Sequence, residues 1–317
     1  MMAEVAYIGG YTPDTGGTGT GITVVELGSL TRLGTTPASG PSFLAVHPRL
    51  PVLYTVGESE RGTVGVYALG EGAPTPLGQR PSGGSSPCHL AVDPTGRLLA
   101  VANYGDGTVS VHHVSQAGLL TELCSFPYRK GSHAHQAVFG PDGVLHVPDL
   151  GADEVRRYLT DPADDRVVPH PEGPVRLAPG MGPRHMTRFA DRWYVVGELD
   201  GTVRVYDDAW NELVAAPASS APGTNYPSHL EVAGGFLYVA NRGPDTVSVL
   251  SPHTLEPVAE VACGGSWPRH FAIADDRLYV ANQRSDGVAV LVLKDGIPQP
   301  DPVVFATGTP SCVLTLP

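Results

Sequence analysis

The sequence predicts an all-β protein: a seven-bladed β-propeller, its ring closed by a blade shared between the N- and C-termini. Three observations carry this. A strand–turn–strand–turn–strand unit recurs with a period near 45 residues, seven of its openings can be counted, and the last opening lacks a remainder that the N-terminal segment supplies.

The first full unit, PSFLAVHPRLPVLYTVGESERGTVGVYAL, starts at Pro41. PCHLAVDPTGRLLAVANYGDGTVSVHHV follows at Pro87, HQAVFGPDGVLHVPDLGADEVRRYL at His135 and PRHMTRFADRWYVVGELDGTVRVYD at Pro183. PSHLEVAGGFLYVANRGPDTVSVLS at Pro227 and PRHFAIADDRLYVANQRSDGVAVLV at Pro268 complete the series. In each, a tight turn (PTGR, PDG, AGG, ADD) separates the first two strands, and a second turn (GDGT, GADE, LDGT, GPDT, RSDG) precedes an alternating third strand. PSCVLTLP at Pro310 is an opening strand alone, and VAYIGGYTPDTGGTGTGITVVEL from Val5 reads as its remainder. The reference residues Leu44, Leu90, Ala137, Met186, Leu230, Phe271 and Val313 are spaced by 46, 47, 49, 44, 41 and 42. Four strands per unit are expected, and pairing of the two chain ends leaves no free sheet edge at the closure. No linker interrupts the pattern, so residues 1–317 read as a single seven-bladed domain.

Composition agrees. The 39 glycines and 31 prolines fall at spaced turns, as many short strands require. A net charge of −12 with no basic run argues against nucleic acid. No segment approaches the ~20 apolar residues of a membrane span, and MMAEVAYIGGY has neither the basic nor the apolar part of a signal peptide. Cys88, Cys124, Cys263 and Cys312 are far apart with no CxxC spacing, so reduced thiols and a cytoplasmic protein are expected. The sequence sets no oligomeric state.

In a propeller, the leading ends of the innermost strands and the turns after the second strands meet at one mouth of the central channel. Two positions before each reference residue stand Ser42, Cys88, His135, Arg184, Ser228, Arg269 and Ser311; one position before stand Phe43, His89, Gln136, His185, His229, His270 and Cys312. Just after the second strands come Tyr11, Glu58, Tyr104, Leu150, Glu198, Arg242 and Gln283. His135, Arg184, Glu198, Arg242 and Arg269 therefore converge from four consecutive blades. Three arginines at one mouth of an acidic chain suggest a small anionic substrate, because a guanidinium offers planar, paired donors to carboxylate or phosphate. His89, His185, His229, His270, Glu58 and Gln283 join Arg269 as candidate substrate contacts. The alternatives are structural: the repeated histidines brace their blades, the charges form a buried ion-pair network, and His133 belongs to the loop. The HAH pair lacks partners at metal-ligand spacing, so neither a metal nor another cofactor is expected.

GSHAHQAVFGPDG, GPRHMTRF…YVVGELDGTVRVY, FLYVANRGPDTVSVL and WPRHFAI…NQRSDGVAVL resemble the seven-bladed propeller lactonase family. That family includes the propeller-type 6-phosphogluconolactonases and the fungal 3-carboxy-cis,cis-muconate lactonising enzyme. The opening YIGGYT fits as well, so the resemblance covers nearly the whole chain. It implies that His135, Arg184, Glu198 and Arg242 are the active-site quartet. Where the family often has an acidic residue, this chain has His229, and the GEL motif replaces the usual NEL. The expected activity is hydrolysis of an anionic sugar or carboxylic-acid lactone, with Arg184 and Arg242 holding the anion and the developing oxyanion, and His135 or Glu198 taking a proton from water. No GxSxG elbow is present, which favours direct water attack. The rival readings are a muconate-type cyclase or isomerase using the same clamp, and a non-catalytic binding platform.

Overall fold

A computed structural model describes residues 4–316. Seven antiparallel sheets follow one another around a central axis. Blade 1 runs from an innermost strand at Leu44–Val46 to an outer strand at Thr75–Pro81, and blade 2 from Pro87–Val92 to Leu120–Phe126. Blade 3 begins at Val138–Phe139, blade 4 at Pro183–Phe189, blade 5 at Tyr226–Ala233 and blade 6 at Pro268–Ala274. Blade 7 is the closing blade. Its innermost strand is Pro310–Leu316, which pairs with Val5–Gly10 from Val5↔Leu316 to Gly10↔Pro310, as the split repeat predicts.

The second strand of each blade is the most apolar, and it is buried on both faces between blades. Val52–Gly57, Leu98–Asn103 and Val144–Asp149 are buried at every position. The core is accordingly divided: each apolar cluster joins two neighbouring blades, as when Tyr194 and Val196 of blade 4 pack with Leu230 and Val239 of blade 5. The tight turns use left-handed backbone at Gly96 and Gly143, and at Ala190 and Asp191 in the shortened turn of blade 4.

Two blades depart from four simple strands. In blade 3 the outer position is shared by Arg166–Pro169 and Val175–Arg176, both paired with Glu154–Asp161. In blade 6 it is shared by Ile297–Pro298 and Val303–Ala306. Prolines 171 and 174, and 300 and 302, fall in the breaks, where the missing N–H ends the ladder. Blade 3 also has the shortest innermost strand. Pro148 stands in its second strand where other blades have a residue with an N–H, and upstream of Val138 only the Ala134–Asp149 bridge and a bond from His135 N–H to Pro148 O (3.0 Å) remain.

Candidate active site

The innermost strands enter the mouth through β-bulges. The register shifts between Pro87 and His89, Pro183 and Met186, Pro227 and His229, and Pro268 and His270. The extra residue at each shift includes Cys88, Arg184, Ser228 or Arg269. A bulge leaves that residue out of the ladder and re-aims its side chain, here towards the mouth.

The structure brings Arg184, Glu198 and Arg242 into direct contact. Glu198 Oε2 lies 2.8 Å from Arg184 Nε and 2.7 Å from Arg242 Nη2. Arg184 Nη1 also donates to the Ser228 carbonyl, and Arg242 Nε donates to Tyr226 O at 2.9 Å. Burial alone would raise the pKa of Glu198, but Arg184 and Arg242 outweigh it and hold the carboxyl below its ordinary range. Burial and the Arg242 charge pull Arg184 down to about 9, still a cation at neutral pH.

Arg269 is placed differently. Among the described residues no carboxylate lies within ion-pair distance of it; its Nη1 meets Gln283 Oε1 at 3.4 Å and its guanidinium lies 5.2 Å from the Tyr11 ring centroid. Burial works against its charge, yet the Tyr11 oxygen and the carboxylates of Glu58 and Glu198 keep it firmly protonated. Glu58 is itself held by Tyr11 OH (3.0 Å) and by Ser42 Oγ. A narrow cavity on the axis separates Glu58, Arg184 and Arg269 from a floor that includes Phe43, His185 and His270.

His135 is 4% exposed, and its Nδ1 lies 3.9 Å from Cys88 Sγ. No other group among the described residues hydrogen-bonds the imidazole. Burial first, then Arg184, Arg269 and Arg242, hold its pKa well below the ordinary value, so the ring is neutral. Its loop is fixed from below. Asp149, fully buried, accepts from His133 N–H at 2.7 Å and from Ser132 Oγ, and pairs with Arg156 at 3.3 Å. His133 stacks on Tyr104 (4.5 Å) and bonds Tyr104 O at 2.8 Å, which makes it part of the loop's support.

His89, His185, His229 and His270 lie one layer below the mouth with Phe43. His229 stacks on His270 at 4.0 Å, Phe43 lies 4.0 Å from His89, and His185 Nδ1 meets His229 Nδ1 at 2.9 Å, so these two rings share one proton. His89 Nδ1 accepts the N–H of Ala137 (3.3 Å), Gln136 Oε1 that of Met186 (2.7 Å), and His270 Nδ1 that of Val313 (3.4 Å). Each of these bonds crosses to a following blade. The bracing alternative raised by the repeat thus has direct geometry in this layer. Among the described residues no group of three or more His, Cys, Asp or Glu side chains is arranged to hold a metal ion.

One mouth residue escaped the sequence reading. Trp267 stands between two cations, with Arg284 3.5 Å and Arg242 5.4 Å from its ring centroid. Its signal was the aromatic in GGSWPRH, directly before the innermost strand of blade 6.

Fold and site together define a propeller with a charged axial mouth, and residues 5–315 match the family model described as "Lactonase, 7-bladed beta-propeller". The chain belongs to that family. It is similar to 6-phosphogluconolactonase of Bacillus subtilis, 28% identical over 281 residues, 78% of each chain. It is also similar to 6-phosphogluconolactonase of Formosa agariphila, 29% identical over 66% of each chain. Among solved structures, the periplasmic gluconolactonase of Pseudomonas aeruginosa superposes with a TM-score of 0.89 at 26% identity, over 99% of both chains.

Proposed function

We propose that this chain is a lactonase whose substrate carries an anionic group held by Arg269. The observation that carries the reading is the division of labour among the three arginines. Arg184 and Arg242 both spend donors on the one Glu198 carboxylate, whereas Arg269 has no carboxylate within ion-pair distance among the described residues and meets only Gln283, so its guanidinium is the one free to take a ligand anion. This shifts the anion-holding role away from the pair favoured by the sequence. Arg184 and Arg242, fixed by Glu198, are placed to stabilise negative charge as it develops on the carbonyl oxygen, which preorganised cations do without rearrangement.

His135 acts as general base. It is neutral at pH 7, its imidazole is uncommitted apart from the weak Cys88 contact, and it sits beside the arginines where a water would attack. In this reading the water oxygen bonds to the lactone carbonyl carbon, its proton passes to His135, and the ring C–O bond then breaks with that proton returning to the leaving alkoxide. Glu198 is a positioning residue. The names of the relatives, 6-phosphogluconolactonase and gluconolactonase, support a sugar-acid lactone as the substrate class. The unpaired thiols of Cys88, Cys124, Cys263 and Cys312 fit a reducing compartment such as the cytoplasm.

The test is a pH-stat assay of the purified protein on 6-phosphogluconolactone, gluconolactone and a muconolactone, with spontaneous hydrolysis as the blank. Acceleration of the phosphorylated lactone over the neutral one, lost in His135→Ala, is expected. No acceleration on the whole panel would overturn the reading. Cyclisation of an unsaturated dicarboxylate without lactone hydrolysis would move the assignment to the lactonising activity.

A further inference from the structure

The junction between blades 3 and 4 lacks a bond that three other junctions make. In blades 1, 4 and 5 the second strand places a tyrosine at one repeated position. Each hydroxyl bolts the next blade by donating to a carbonyl in the turn before its outer strand: Tyr54 to Gly118 O (2.9 Å), Tyr194 to Pro252 O (3.0 Å) and Tyr238 to Gly296 O (2.7 Å). Blade 3 has His146 there. Among the described residues the imidazole makes no such bond, and the corresponding turn of blade 4 carries Trp210. A cavity of about 180 Å³ opens between the two blades. It is bounded by turns between first and second strands and between third and outer strands, so it lies on the face opposite the mouth.

Its walls are of two kinds. Trp193 and Trp210 stack at 5.6 Å and 11°, and His146 packs against them at 4.5 and 5.7 Å. Asp142, Arg157, Arg188 and Asp208 supply polar edges. Arg188 is committed to Asp208 at 2.9 Å and Arg157 to Glu172 at 3.3 Å. Asp142 makes no ion pair among the described residues, so the charge left over in the cavity is negative. His146 is 3% exposed, and its Nδ1 is buried with no hydrogen-bond partner among the described residues. Burial holds the imidazole pKa down to about 4, which leaves a neutral ring with one donor and one acceptor nitrogen. A buried polar group without a partner calls for an explanation.

We propose that this cavity binds a neutral polyhydroxylated ring, a single sugar unit. Such a ring offers a C–H face to the half-buried indole of Trp210 and a rim of hydroxyls that both donate and accept. Those hydroxyls match the neutral imidazole, the Asp142 carboxylate and the outward guanidinium edges. Phosphate and carboxylate ligands are disfavoured, because Asp142 repels them and both arginines already have partners.

The chain has three tryptophans, two of which line this cavity, so the test is a fluorescence titration in a Trp267→Phe background that silences the mouth. The probe is methyl α-D-glucopyranoside, which cannot form or open a lactone; sodium gluconate and sodium phosphate are the anionic comparisons. A saturable fluorescence change with the glucoside is expected. It should be weakened ~10-fold or more, about 1.4 kcal/mol, by His146→Tyr, which introduces the residue that blades 1, 4 and 5 use and fills the space. If His146→Tyr fails to fold, Asp142→Ala replaces it, with a weaker glucoside response again expected. The proposal is overturned by the absence of a saturable change, by a change that survives the substitution, or by gluconate binding the same cavity more tightly than the glucoside.

Discussion

Two adjacent rows of side chains ring the axis, one residue apart in every repeat, and they do opposite work. In the upper row, Cys88, Arg184, Ser228 and Ser311 donate to backbone carbonyls of a following blade: to His135 O (3.3 Å), to Ser228 O, to Pro268 O (2.6 Å) and to Ser42 O (2.7 Å). In the lower row, His89, Gln136 and His270 accept backbone N–H groups from a following blade. An innermost strand has no further strand on its channel side, and its backbone groups still need partners. The two rows supply them with opposite polarity. Chemistry is free to appear where a side chain has no stitch to make. In the upper row Ser42, His135 and Arg269 make no such stitch; the Ser42 hydroxyl is spent on Glu58, and the other two are the residues to which we assign the base and the anion clamp.

The largest expected effect removes the carboxylate that holds Arg184 of the upper row. Glu198→Ala leaves Arg184 and Arg242 as unpaired cations, and should cost about 3 kcal/mol of stability and ~10³-fold in kcat/KM, read by urea denaturation and steady-state kinetics. Next, Arg269→Met should raise KM for a phosphorylated lactone by ~10²-fold while changing the neutral lactone little. Equal losses on both would place the anion elsewhere. In the lower row, Gln136→Leu strands the Met186 N–H and should cost about 1–3 kcal/mol, with a smaller effect on kcat/KM than the Arg269 variant.

The rows also differ towards acid. Burial first, then neighbouring positive charge, holds His89, His185 and His229 well below the ordinary imidazole value, and His270 falls to about 3. A lowered folded value means that the unfolded chain takes up protons which the folded ring refuses. The contribution of these rings to stability should therefore be constant above pH ~6.5 and fall as pH drops from there towards 3, by up to about 1.4 kcal/mol per pH unit for each ring that stays neutral. Urea midpoints across that window measure it. Because His135 is lowered in the same way, the acid limb of kcat/KM should lie below pH ~6.5. The smallest expected effect is that of EDTA, which should leave the rate unchanged.

Most of the ring was legible because it repeats. The phase of the innermost strands, the split closing blade and the convergence of His135, Arg184, Glu198, Arg242 and Arg269 follow from aligning like with like. What the alignment could not see is which partner each side chain takes. Arg184 and Arg269 occupy the same repeat position, yet one is spent on Glu198 and Ser228 and the other is not, and that depends on distances between blades. His89 and Cys88 differ by one residue and end in different layers, because a bulge separates them. The divided outer strands of blades 3 and 6 were foreshadowed by HPEGP and IPQPDP, whose prolines signal a break without saying where the chain rejoins the sheet.

The closing blade has a bearing on how the protein comes into being. Ser311 reaches Ser42, and the Val313 N–H reaches His270, so both rows of the mouth are completed by strand 310–316. Translation delivers that strand after all the others. A nascent chain can stack six blades as they emerge, but its charged mouth stays open on one side until this segment pairs with Val5–Gly10. An arc without strand 310–316 would leave Ser42 O and His270 Nδ1 without these partners.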